Sequence, residues 1–228
     1  MKKLKTIVFI LLASFATTSV IAAGSDFAGP YVGVRMTVAG AVVDGSASNS
    51  SSETTEGAIG GIFAATGGEA GYTLPLGDSP GFVSVGASFI SGGATFAIDA
   101  GAGAGRGSTN DATIEIKDHW SAYIAPGFAI SDTAAVYIKG GYAHADVNWE
   151  GDISQGPKWI EGFTGAIGTK TMTAGGLFIQ TEAGVNLYDE VNFTRKAQSS
   201  DTSTVQSGGN AVGRPMVAYG AITIGMKF

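Results

Sequence analysis

From Tyr31 onward, apolar residues recur at every second position in runs that glycine interrupts, and this period is what most narrows the fold. A helix buries a stripe at a 3.6-residue period and tolerates few glycines, whereas a strand sends alternate side chains to opposite faces. In the run YVGVRMTVAGAVV, Val32, Val34, Met36, Val38 and Val42 share one face, and Gly33, Arg35, Thr37 and Ala39 share the other. Ala70, Tyr72 and Leu74 oppose Glu69, Gly71 and Thr73; Val83, Val85, Ala87 and Phe89 oppose Ser84, Gly86 and Ser88. The pattern returns in Trp120, Ala122, Ile124 and Phe128, then in Val136, Ile138 and Tyr142. After Gly175, Leu177, Ile179, Ala183, Val185 and Leu187 oppose Gln180, Glu182, Gly184 and Asn186. A short strand from Val191 and a last one from Val212 to Phe228 bring the reading to eight strands.

The connections alternate in length. Pro75 to Gly81, Ser131 to Thr133 and Tyr188 to Glu190 read as short turns, while Asp44–Gly57, Ser91–Ala112, Asn148–Lys170 and Gln198–Asn210 are long and rich in Ser, Thr, Gly, Asn or Ala. An even strand number with short turns at one end and long loops at the other is the layout of a barrel in an outer membrane. A soluble sandwich also alternates, but it loads its polar face with Lys and Glu. Here the few charges inside strands, Arg35, Glu69, Lys139, Glu182 and Lys227, all fall on the small or polar face. In a barrel turned toward lipid that face is the lumen, where charges need partners, so these five are the expected lumen charge network. Eight strands leave an interior that side chains fill. Tyr72 and Phe128, on the lipid-facing parity beside short turns, with Phe82 and Tyr188 close by, suit an interfacial aromatic girdle. Pro126 inside a strand predicts a bulge or a strand end, because its missing N–H interrupts a ladder.

Composition removes other classes. With no Cys there is no disulfide frame, thiol nucleophile or Cys-ligated metal, and a net charge of −6 has the wrong sign for neutralising phosphates, so no nucleic-acid partner is expected. Lys2, Lys3 and Lys5, the apolar stretch Thr6–Phe15 and the small residues at Ala22-Ala23 read as a signal peptide over 1–23, leaving 24–228 as one barrel domain. Loss of those three lysines leaves ten basic residues against nineteen acidic ones.

The last strand, Ala218 to Phe228, places Ile222, Ile224, Met226 and the terminal Phe228 on one face. It resembles the C-terminal strand signal of Gram-negative outer-membrane proteins, which implies the barrel assembly machinery as a partner through those four residues. The opening Gly29-Pro30-Tyr31-Val32-Gly33-Val34 and the segment Val136–Tyr142 are similar to the opacity-protein-like surface antigens with an outer-membrane β-barrel domain. The resemblance implies an all-β, eight-stranded, antiparallel up-and-down transmembrane barrel with short periplasmic turns and longer extracellular loops. Outer-membrane lipid and lipopolysaccharide would surround it, and no cofactor, metal or catalytic residue is expected. The implied role is non-enzymatic, structural or surface-interacting through the loops. A narrow porin-like channel is the alternative, and a barrel enzyme is less favoured.

Other candidate sites have simpler readings. His119 and His144, near Asp118, Ser121, Glu115 and Asp146, suggest a hydrolytic cluster, but the alternation sends His119 inward and His144 outward. Gly101–Gly107 lacks the Lys-Ser/Thr of a phosphate loop. Gly140-Gly141 and Gly175-Gly176 are expected at bulges, or where a lumen aromatic such as Tyr123 needs room. The acidic, Ser-rich stretch Asp44–Glu56 reads as a solvated loop, with binding of a cation or a host surface as the alternative.

Overall fold

The computed structural model describes residues 23–48, 54–99, 111–150, 153–195, 198–199, 205–206 and 210–228. The expected signal peptide, apart from Ala23, and the Gly101–Gly107 stretch lie outside the described residues. The described strands are β1 (Gly29–Ser48), β2 (Thr54–Pro75), β3 (Gly81–Ser91), β4 (Ala94–Asp99), β5 (Asp111–Ser131), β6 (Ala134–Glu150), β7 (Ile153–Gln155), β8 (Trp159–Met172), β9 (Leu177–Tyr188), β10 (Val191–Arg195), β11 (Gln198–Ser199), β12 (Val205–Gln206) and β13 (Asn210–Lys227). The ladder runs β1-β2-β3-β5-β6-β8-β9-β13, all antiparallel, and closes through β1 with β13 from Tyr31↔Lys227 to Ala47↔Ala211. The chain thus forms the closed eight-stranded barrel expected from its alternation.

Its polarity is inverted. Val34, Met36, Val38, Ile138, Phe163 and Ile167 are exposed outside, while Arg35, Glu69, Lys139, Gln180, Glu182 and Asn186 are buried inside. Only an apolar surrounding makes that distribution favourable. On β1 the outward apolar run from Val32 to Val42 ends at Asp44. A 20-residue strand such as β1, at about 3.3 Å per residue and a tilt of roughly 40°, rises about 50 Å, twice the ~25 Å apolar band of such barrels. The strands therefore continue beyond the membrane on the side away from the short turns. Met36 lies in the middle of the band, so Met36→Arg is expected to cost about 2–4 kcal/mol of folding free energy, read from the urea midpoint in lipid vesicles.

Several assignments from the sequence are corrected. The sixth barrel strand is β8, inside the stretch read as the long loop Asn148–Lys170. Its outward side chains, Trp159, Phe163 and Ile167, alternate with Gly and Thr, a signal too dilute to stand alone. The strand from Val191 is not a barrel strand of its own. Both β9 and β10 run antiparallel to β13, with Leu187↔Met216 followed by Val191↔Gly213, so β10 continues β9 past a one-residue irregularity. Tyr188–Glu190 is therefore no turn; the third short turn is Thr173–Gly176, where Gly175 and Gly176 have φ of 80° and 82°. Pro126 lies opposite Val83 with no register shift; the shifts fall at Lys117/Trp120 and Ala129/Ser131. Nor is there one at Gly140-Gly141, which pair in register with Ile124 and Tyr123; Gly141 instead leaves room for Tyr123, whose Cβ would lie 2.9 Å from a Cβ at that glycine.

Tyr72 and Phe128 face outward near the short turns, but Phe82 and Tyr188 are buried inside and belong to no girdle. At the other edge of the band the outward aromatics include Phe89, Trp120, Tyr142 and Phe163, and farther from the short turns lie charged or polar residues such as Lys117, His144 and Glu161. Trp120 lies 5.4 Å from Tyr142 and stacks on His144 at 5.3 Å. The expected loop Asp44–Glu56 is largely strand, as β1 and β2 pair as far as Ser48↔Thr54, and residues 49–53 lie outside the described residues.

Candidate functional site

The inner face is filled at three levels. Beside the short turns, a 3-10 turn over Gly24–Phe27 folds back under the barrel, its Gly24 N–H donating to the Ser79 carbonyl at 3.0 Å. Phe27 is fully buried and stacks on Phe82 at 5.5 Å, in a cluster with Tyr31, Met172 and Phe178. Lys170 sits just above, its ammonium 3.8 Å from the Tyr31 ring centre and 4.3 Å from that of Phe178, a cation held by aromatic faces.

The middle level is ionic. Arg35 of β1 bonds Glu69 of β2 at 2.9 Å and Glu182 of β9 at 2.7 Å, one guanidinium nitrogen to each. Lys139 of β6 reaches the same two carboxylates at 3.5 and 2.5 Å. Two cations and two anions thus span the lumen in a neutral square. Burying charge is costly unless every lone pair finds a donor. Tyr123 and Gln180 donate to Glu69 Oε1 at 2.8 and 2.9 Å, and Tyr137 and Tyr219 donate to the two Glu182 oxygens at 3.0 Å. Since Tyr123 gives its proton to Glu69, Tyr31 must be the donor in the 2.9 Å contact between the two hydroxyls.

Four of the five strand charges expected in the lumen meet there; Lys227 does not. Its ammonium donates to the Asp26 carbonyl at 2.6 Å, joining the last strand to the N-terminal turn. Tyr31, Tyr123, Tyr137, Tyr219, Gln180 and Lys170 are lumen residues not assigned to the network from the sequence. A signal existed for the tyrosines in the glycines of neighbouring strands. A Cβ at Gly86 would lie 2.6 Å from the Tyr123 hydroxyl, and one at Gly168 2.3 Å from that of Tyr137. Which glycine faces which ring depends on register, which alternation alone does not supply.

The outer level is mostly apolar, with Ile114, Ile116, Val147, Ile160 and Phe193 in one cluster and Trp149 packed on Phe193 at 4.4 Å. The two histidines lie on opposite faces of the wall. His119 accepts or donates inside, 3.2 Å from the Asn186 amide, while His144 is outside, 3.5 Å from Asp146. Ser121 bonds Ser88 at 2.8 Å, and Glu115 accepts from Asn148 at 3.1 Å. Nucleophile, base and orienting acid are not brought together. Ile222, Ile224, Met226 and Phe228 all project outward along β13, where Phe228 donates its N–H to the Pro30 carbonyl at 3.0 Å. No group of three or more potential metal ligands occurs among the described residues.

The model of the outer membrane protein beta-barrel domain matches residues 8–224, nearly the full length. Among solved structures, the outer membrane protein OprG from Pseudomonas aeruginosa superposes with a TM-score of 0.57 at 10% identity, over 88% of this chain and 97% of that one. A likeness at that identity is one of fold. The attachment invasion locus protein Ail of Yersinia pestis (TM-score 0.39, 12% identity, 85% of this chain and 99% of that one) and the outer membrane protease OmpT from Escherichia coli (0.42, 12%, 88% and 97%) are also similar, at scores too low to inform function. No curated protein matches significantly. With an inverted, closed eight-stranded barrel and a family match over nearly every residue, the chain belongs to the outer membrane protein beta-barrel domain family and resides in the outer membrane.

Proposed function

We propose that the chain is a closed, non-conducting and non-enzymatic barrel with a structural or surface-interaction role carried at its outer end. The observation behind this reading is the ionic square of Arg35, Glu69, Lys139 and Glu182, which bridges β1, β2, β6 and β9 across the lumen. An aqueous path would have to pass that square and the Phe27–Phe82 stack below it. A rigid wall leaves recognition to the connections beyond the membrane, where loops positioned by a scaffold usually carry it. The separation of His119 from His144 by the barrel wall supports a non-enzymatic role. In the membrane, the aromatic residues at both edges of the apolar band meet the headgroups of lipid and lipopolysaccharide. The outward face of β13, ending at Phe228, is the surface offered to the assembly machinery.

Planar-bilayer recording tests the reading. Purified barrel is expected to show no steady single-channel openings. Regular openings whose ion selectivity changes in Arg35→Ala or Glu182→Ala would replace it with the narrow-channel reading.

A further inference from the structure

Above the ionic square, the lumen contains a small cavity of about 30 Å³ that no part of the proposed role uses. Ala39, Phe63, Ile90, Ile116 and Val217 supply apolar walls, Lys117, Tyr188 and Tyr219 also line the cavity, and Thr37, His119 and Asn186 bring further polar groups to it. Those three residues carry buried atoms without a partner: Thr37 Oγ1, His119 Nδ1 and Asn186 Oδ1. An unsatisfied buried polar atom costs about 1–3 kcal/mol, so three around one space call for water or the polar end of a ligand beside them. His119 is delivered there by a bulge. The register shifts between Lys117↔Asp146 and Trp120↔His144, with Asp118 at φ 49°, and this puts Ile116 and His119, three residues apart, on the same side. Bulges commonly re-aim a side chain beside a site.

The open atoms define what they would hold. The Asn186 amide and His119 Nε2 share one hydrogen bond of 3.2 Å. If the amide nitrogen donates, Nδ1–H is an open donor and the Asn186 carbonyl an open acceptor. If the amide is turned over, Nδ1 is the open acceptor and the NH₂ the open donor. Either way one donor and one acceptor remain, and the Thr37 hydroxyl can serve as both. A hydroxyl or an amide matches such a set, whereas an ammonium would meet the like charge of Lys117 on the lining and a carboxylate would give up its hydration among mostly apolar walls.

A volume of this size admits about two waters, hence a polar head and its first carbons. The remainder must extend outward, where β4 lies beside β2 without a backbone ladder. β2 pairs with β3 only from Thr66↔Ser91 to Pro75↔Phe82, and no ladder pair joins Thr54–Ala65 to β4 among the described residues. Gly92, with φ 100°, and Gly93 line the cavity at that seam. We propose that the cavity binds the polar end of a small uncharged amphiphile, an alcohol or amide with an apolar body, through Thr37, His119 and Asn186.

The chain has only two histidines, so ¹⁵N-histidine labelling gives two ring environments to follow while the barrel, in lipid nanodiscs, is titrated with 1-hexanol. The expected result is a saturable shift of the His119 ring that hexane and hexanoate do not produce. Thr37→Val, nearly isosteric, and Asn186→Leu are each expected to weaken the response about tenfold, with folded barrel verified by its heat-dependent gel mobility. A His119 ring that hexanol leaves unmoved, an equal response to hexane, a shift confined to His144, or full affinity in Thr37→Val would each overturn the proposal.

Discussion

Replacing Arg35 with methionine is expected to destabilise the barrel by about 3–5 kcal/mol, because removing one partner of a buried ion pair leaves the other charge uncompensated. Glu69 and Glu182 have side chains only 1% exposed, and Lys139 alone would then face both. The measurement is the urea midpoint of unfolding in lipid vesicles, followed by tryptophan fluorescence. A second variant separates charge from packing. Arg35→Met combined with Glu69→Gln again leaves one cation to one anion, and a glutamine oxygen can still accept from Tyr123 and Gln180. The double variant should recover most of the loss. Equal instability in both would mean that the guanidinium matters through its contacts and not its charge.

Phe27→Ala is expected to cost a similar amount, about 3–5 kcal/mol, by opening a cavity under the barrel. The residue is 1% exposed, although it precedes the first strand. Its ring rests on Phe82, and the turn that carries it is tied down through Gly24 and Ser79. Loss of the ring should also release that turn, read as faster amide exchange at Gly24. Phe27→Leu, which retains much of the apolar volume, should cost less than about 2 kcal/mol. If Phe27→Ala unfolds at the wild-type midpoint, the segment before β1 is not part of the cooperative unit.

How far the site was legible follows from which residues took part. Arg35, Glu69, Lys139 and Glu182 stood out because a charge on the small face of an otherwise apolar alternation has few places to go. Lys227 fits the same rule and failed it, since it is the last residue of its strand, where the lumen opens toward Asp26. Lys170 was missed with its strand: WIEGFTGAIGTKTM has too much Gly and Thr to signal by itself, and it is held by ladders to β6 and β9 on either side. Tyr188–Glu190 looked like a turn from its polar residues, yet β10 runs on beside β13. The pairing partner, not local composition, decides between a turn and a bulge.

The inverted alternation by itself determined the class of fold: a period of two sets the strands, and large apolar side chains opposite a sparsely charged face require lipid outside and a filled lumen within. It also put His119 and His144 on opposite faces, because side-chain parity is local. Only the closed sheet decided which strand is sixth, which aromatics point inward, and that Phe27 fills the lumen from below. It decided too that four charges from β1, β2, β6 and β9 meet, and that Thr37, His119 and Asn186 share one cavity. Those depend on register and stagger around the barrel, quantities fixed by hydrogen bonds between residues distant in the chain.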